Sequence, residues 1–98
     1  MNDVQVTVEY FAQARAAAGG TAREQLSIAA GAALADIVGQ IARNHGQRMT
    51  ALLFGPNGSI SPSIILAVDG VQVSPADEIL LRGGETIMII PPISGGQP

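Results

Sequence analysis

Side chains able to do covalent chemistry are scarce in this sequence. There is no cysteine and one histidine, His45. Disulfides, thiol redox work, iron–sulfur clusters and cysteine-based zinc sites are therefore excluded, and so is a multi-histidine metal centre. Asp77 and Glu78 are neighbours whose side chains diverge in any regular element, and they read as a surface pair. Glu9, Glu24, Asp36 and Glu85 have no metal-ligand spacing. The serines lack the histidine-plus-acid set that would activate them. Gly83-Gly84 precedes a strand pattern and not a helix, so it reads as a turn needing positive φ and not as a phosphate loop. By elimination, the chain is not expected to be a self-sufficient enzyme.

One segment offers chemistry of another kind. Residues 91–98 run Pro91-Pro92-Ile93-Ser94-Gly95-Gly96-Gln97-Pro98. Two prolines stiffen the root, and two glycines leave the far end without Cβ atoms. Extended at about 3.3–3.6 Å per residue, residues 91–96 reach roughly 20 Å. Such a tail can thread a narrow channel and present backbone atoms at its far end. Against it stands the ordinary frayed terminus, since 12 of the 98 residues are glycine.

The rest of the composition bounds the partners. All 5 basic residues are arginines, so there is no lysine, and the net charge is −3. With three aromatic residues, the chain lacks the basic field and stacking platforms of a nucleic-acid binder. No apolar run approaches the roughly 18 residues of a membrane span, and Met1-Asn2-Asp3 has no basic leader character. No membrane association and a cytoplasmic location are the expectations. Discounting alanine, 27 Val, Ile, Leu and Phe residues remain, enough for one modest core in one domain.

These residues must be positioned by short elements. Val4, Val6 and Val8 alternate with polar residues, as in a strand with one buried face. Residues 12–18 read as a short helical turn or loop closed by Gly19-Gly20, and residues 25–28 as a second strand. Leu34, Ile37, Val38, Ile41 and Ala42 form one helical stripe, with Asp36 in the first turn and Arg43, His45 and Gly46 at the end. His45 there reads as a helix-end residue and not as a catalytic base. Residues 48–54 read as a second short helix or a covered loop. Residues 64–68 are a strand that Asp69-Gly70 turns into residues 71–73, and Thr86–Ile90 is the last strand, stopped by Pro91-Pro92. This order predicts an α+β domain of β-grasp, ubiquitin-like type. Its mixed sheet has four to five strands, covered on one face by one main helix, with the first and last strands parallel at the centre. Residues 1–90 form that domain and residues 91–98 a flexible tail.

The late strands are apolar on both faces. Thr86, Met88 and Ile90 oppose Ile87 and Ile89, while Ile65 and Ala67 oppose Ile64, Leu66 and Val68. One helix covers one face, so Ile65, Ala67, Met88 and Ile90 are expected to form an exposed patch for a protein partner, joined by Pro91, Pro92 and Ile93. The competing reading is a central strand covered by loops on its second face.

Residues 88–96, Met88-Ile89-Ile90-Pro91-Pro92-Ile93-Ser94-Gly95-Gly96, closely resemble the carboxy-terminal signature of the ubiquitin-like sulfur carriers. These are the small subunit of molybdopterin synthase, the thiamine-pathway carrier and their relatives. The similarity extends to residues 4–18, 30–41, 67–71 and 83–92, and the Pro-Pro-aliphatic-Ser-Gly-Gly run most resembles the molybdopterin synthase subunit. The resemblance implies a carrier with no bound cofactor. An E1-like enzyme would use ATP to adenylate the carboxylate of Gly96, preceded by Gly95. A sulfurtransferase or other donor would make the thiocarboxylate, and a sulfur-accepting synthase subunit would receive the tail.

Here Gln97 and Pro98 follow Gly96, whereas in the active form of the family the second glycine is last. Gly96 then carries an amide and no carboxylate. A peptidase cutting between Gly96 and Gln97, of the zinc-dependent deubiquitinase-like type, is expected. The same departure leaves open carriers for cysteine, methionine, thiamine or secondary-metabolite sulfur. It also leaves open a ubiquitin-like modifier joined through Gly96 to lysines of other proteins. Without lysine, such a modifier cannot build chains on its own side chains.

Overall fold

The computed structural model describes residues 3–75 and 77–92. Five strands make one mixed sheet in the order β2-β1-β5-β3-β4. They are β1 (Asp3–Tyr10), β2 (Arg23–Ala29), β3 (Ile65–Val68), β4 (Val71–Val73) and β5 (Thr86–Ile90). β1 and β5 run parallel at the centre, Thr7 opposite Thr86 and Tyr10 opposite Ile89, and the other pairings are antiparallel. This is the expected β-grasp arrangement. The helices are α1 (Gln13–Ala17), α2 (Leu34–His45) and α3 (Gln47–Leu53). The main helix α2 is therefore joined by two short helices, where the sequence left residues 12–18 and 48–54 undecided between helix and loop.

The alternation in β1 builds the core directly. Val6, Val8 and Tyr10 point inward with Leu26, Ile28, Leu66, Ile87 and Ile89 from the neighbouring strands. The stripe Leu34, Ile37, Val38, Ile41 and Ala42 of α2 packs onto them, with Met49 and Leu53 from α3. Each large aliphatic side chain buried this way contributes on the order of 1.5–3 kcal/mol. Gly46 ends α2 at φ 90°, a backbone state that strongly favours glycine, and its N–H donates to Ala42 O at 2.8 Å. Asp69 and Gly70 both adopt positive φ, 52° and 83°, as a two-residue hairpin turn demands. The Asp69 carboxylate also accepts from Thr86 N at 2.9 Å, which pins the turn to the start of β5.

The residues before β5 fold as a tight turn against β1. Arg82 N and Gly83 N donate to the Glu85 carboxylate at 2.9 and 2.7 Å, and Gly84 N donates to Gln5 O at 2.7 Å. Partial burial pushes the Glu85 carboxyl up, but the N–H donors of Arg82, Gly83 and Glu85 itself and the Arg82 charge outweigh it and hold the group below its ordinary value. Gly83 sits at φ 120°, and a Cβ there would stand 2.8 Å from Val4 Cβ. Gly83→Ala is accordingly expected to lower stability by at least about 2 kcal/mol, from left-handed strain and the clash together. Urea unfolding checks it through the midpoint, and Gly84→Ala is the comparison, since a Cβ at Gly84 meets nothing within 4 Å.

Candidate functional site

The helices pack on one face of the sheet, and on the other face β3 and β5 bring the expected patch together. Ile65 pairs with Ile90 and Ala67 with Met88, so the four side chains form two adjacent rows. Ile65 is 41% exposed, Met88 and Ile90 are half-buried, and Ala67 is buried. Ala67 and Pro91 are the described members of the expected patch whose own surface is hidden; for Ala67, the methyl is short, and Met88 and Gln72 stand opposite it on either side. The patch is thus smaller than the sequence pattern implied and is centred on Ile65, Met88 and Ile90. Glu9 lies opposite Met88 on β1 and pairs with Arg23, whose Nε donates to its carboxylate at 3.2 Å, giving the patch a polar margin.

The patch runs into the root of the tail. Pro91 is buried and Pro92 exposed directly after Ile90. Phe11 N donates to Ile89 O at 3.1 Å, continuing the β1–β5 pairing one residue beyond β1 and fixing the direction in which the chain leaves β5. Ala12 then takes φ 51°, unusual for a residue with a Cβ, to start α1 beside this exit. The Arg15 Nε donates to Tyr10 O at 3.4 Å, and a shallow depression here is lined by Glu9, Phe11, Arg15 and Arg23. Ile93, Gly95, Gly96 and Gln97, the remaining expected site residues, lie outside the described residues.

One polar cluster escaped the sequence reading. Tyr10, fully buried, donates its phenol O–H to the Glu24 carboxylate, and His45 Nε2 lies 2.6 Å from the same oxygen and 3.3 Å from the phenol oxygen. His45 is at the end of α2, as expected, but it points inward. The available signal was its place four residues after Ile41, on the apolar stripe. Burial, then the Glu24 hydrogen bond and charge, push the Tyr10 phenol up. For Glu24, burial acts upward, and hydrogen bonds from His45 and Tyr10 with the His45 charge bring the carboxyl below its ordinary value of 4.5. The cluster ties β1, β2 and α2 together.

Its contribution has a definite sign with pH. A carboxyl lowered in the folded state stabilises above its unfolded value and loses that effect as pH falls through the folded one. Glu24→Ala is expected to cost about 1–3 kcal/mol at neutral pH, because it strands a buried phenol. Acid titration followed by circular dichroism should show Glu24→Gln with a shallower loss of stability below the ordinary carboxyl range than the natural chain.

Comparison with known proteins agrees with this geometry. The sequence model of the ThiS family matches residues 8–96. The molybdopterin synthase sulfur carrier subunit of Chlamydomonas reinhardtii is 32% identical over 93 residues, which covers 95% of this chain and 100% of that protein. A Pyrococcus furiosus structure assigned as molybdopterin converting factor subunit 1 is 27% identical with a TM-score of 0.69, covering 92% of this chain and 99% of its own. Small archaeal modifier protein 1 of Methanosarcina acetivorans is 26% identical with a TM-score of 0.78, covering 98% and 100%.

Proposed function

The chain belongs to the ThiS family, and from that membership we propose that it carries sulfur as a thiocarboxylate on Gly96 and delivers it by inserting its tail into a partner enzyme. At the coarser level it is a small ubiquitin-like sulfur carrier of the molybdopterin-synthase and thiamine-pathway type. The observation that supports delivery is the continuity of the apolar patch at Ile65, Met88 and Ile90 with the proline root of the tail. A partner seated on that patch receives the tail in one direction.

In this reading the chain is not an enzyme and binds no cofactor. Cleavage between Gly96 and Gln97 by a peptidase frees the Gly96 carboxylate. An E1-like enzyme joins that carboxylate to the α-phosphorus of ATP, and pyrophosphate leaves. Sulfide, supplied by a sulfur donor, then attacks the acyl carbon, AMP leaves, and the thiocarboxylate remains. In a sulfur-accepting synthase subunit the thiocarboxylate sulfur bonds to the acceptor, and water then cleaves the acyl–sulfur bond and returns the carboxylate. The chain's own part is docking on Ile65, Met88, Ile90 and Pro92, with buried Pro91 stiffening the root, and presentation of a thin, Cβ-free end, Gly95-Gly96. The Chlamydomonas relative, named for molybdopterin synthase, makes molybdopterin the favoured product.

The likeness to small archaeal modifier protein 1 supports a second reading, in which the Gly96 carbonyl is joined to lysines of other proteins. Mass spectrometry of the chain isolated from its host separates the two. Replacement of one oxygen by sulfur at Gly96 supports the carrier, and Gly-Gly remnants on lysines of other proteins support the modifier. A population ending uniformly at Gln97-Pro98 and free of both marks would overturn both.

A further inference from the structure

Charge is sorted along this molecule. β1 and β5 finish side by side at Tyr10 and Ile89, and the tail leaves from that end. Around it stand Arg15 on α1, Arg23 at the start of β2, Arg43 in the last turn of α2 and Arg48 in the first turn of α3. Only two carboxylates accompany them, Glu9 and Glu24, and Glu24 is held internally by Tyr10 and His45. The other six carboxylates lie at the start of β1, in the first turn of α2, in the β3–β4 turn and in the loops before β5, with Arg82 as their one arginine. A chain of net charge −3 thus exposes four arginines against two carboxylates at one end, and one against six elsewhere.

Helix dipoles do not account for this. The C-terminus of α2 favours a cation such as Arg43, but the first turn of α3 disfavours Arg48, and Arg23 is on a strand. Nor does internal pairing: the ion pairs among the described residues are Arg23–Glu9 and His45–Glu24. Arg15, Arg43 and Arg48 are exposed and have no carboxylate partner among the described residues. Exposed, unpaired like charges at one end repel one another and gain only when an opposite field approaches.

We infer that the tail-bearing end is a basic docking face for a partner protein whose tail-receiving entrance is rimmed with carboxylates. This rests on the reading that the tail enters a partner enzyme. A polyanion such as nucleic acid fits less well, because the remaining surface is strongly acidic and offers no stacking platform. An acidic rim is a local field: it attracts the arginine end, repels the acidic remainder and so turns the carrier tail-first during encounter.

The test uses the chain ending at Gly96 and the E1-like enzyme of the same host, with ATP–pyrophosphate exchange as readout. KM for the carrier is expected to rise about tenfold between about 50 mM and 0.5 M salt, with kcat unchanged. Arg15→Glu combined with Arg48→Glu should raise KM about tenfold at low salt and remove most of its salt dependence. Asp3→Arg, at the far end, should change KM less than about twofold. Exchange that proceeds with KM indifferent to both salt and the arginine changes overturns the docking face and leaves the carrier reading standing. No exchange under any condition removes the carrier reading and the docking face with it. The salt series on the natural chain decides the matter even if the double variant fails to fold. Low-salt self-association seen by light scattering, lost in the double variant, would make a second copy's acidic end the occupant and overturn the inference. Retention of a single-stranded RNA oligonucleotide, lost in the same variant, would also overturn it.

Discussion

A chain shortened to end at Gly96 is expected to support ATP–pyrophosphate exchange by an E1-like enzyme, whereas the chain retaining Gln97-Pro98 gives background exchange only. The difference is chemical before it is structural. Adenylation needs a carboxylate oxygen to attack the α-phosphorus of ATP, and in the longer chain that oxygen is replaced by the amide nitrogen of Gln97. Resonance in the peptide bond leaves the carbonyl oxygen a poor nucleophile and the carbonyl carbon without a leaving group. Adding sulfide to the shortened chain with the E1-like enzyme and ATP should then replace one oxygen by sulfur, seen in the intact mass.

Substitutions at the end of the shortened chain should grade the effect. Gly96→Ala keeps the carboxylate but adds a methyl group where the tail must lie against channel walls. Displacement of the reacting atom by about 1 Å costs roughly 100-fold in rate, so exchange should fall by that order while the fold is unchanged. Exchange at the natural rate from the full chain, with no cleavage in the intact mass, would remove Gly96 as the activated residue.

Much of this architecture was legible before any coordinates because the informative residues obey short periods. The two-residue alternation of Val4, Val6 and Val8 gave β1, the stripe from Leu34 to Ala42 gave α2, and Asp69-Gly70 gave the hairpin turn. Each pattern is dictated by what the neighbouring layer does to one face of one element. What periods cannot carry is proximity between distant segments. Tyr10, Glu24 and His45 are widely separated in sequence and meet only because β1–β2 register and the end of α2 coincide. The sorting of arginines is equally invisible, since Arg15, Arg23, Arg43 and Arg48 lie on four different elements. The size of the apolar patch was overstated for a simpler reason. Alternation assigns Ala67 to the outer face, but a methyl between Met88 and Gln72 has almost no surface of its own to offer.

That patch carries the second large effect. Ile65→Glu is expected to weaken binding to the tail-receiving partner by about 100-fold or more, since truncation of a central apolar contact costs about 2 kcal/mol and a buried unpaired carboxylate adds to that. Stability should change by less than about 0.5 kcal/mol, because Ile65 is 41% exposed in the free chain. Val71→Glu is the matched control: Val71 is 65% exposed, on the edge strand β4, and its pairing with Val68 places it on the opposite face. It should bind within about threefold of the natural chain. The two surfaces are also separable by kinetics. Loss of apolar contact alone, isolated with Ile65→Ala, raises the dissociation rate and is nearly independent of salt, whereas reversal of Arg15 and Arg48 lowers the association rate and fades as salt screens it. If Ile65→Glu and Val71→Glu weaken binding equally, the patch beside the tail is not where the partner sits.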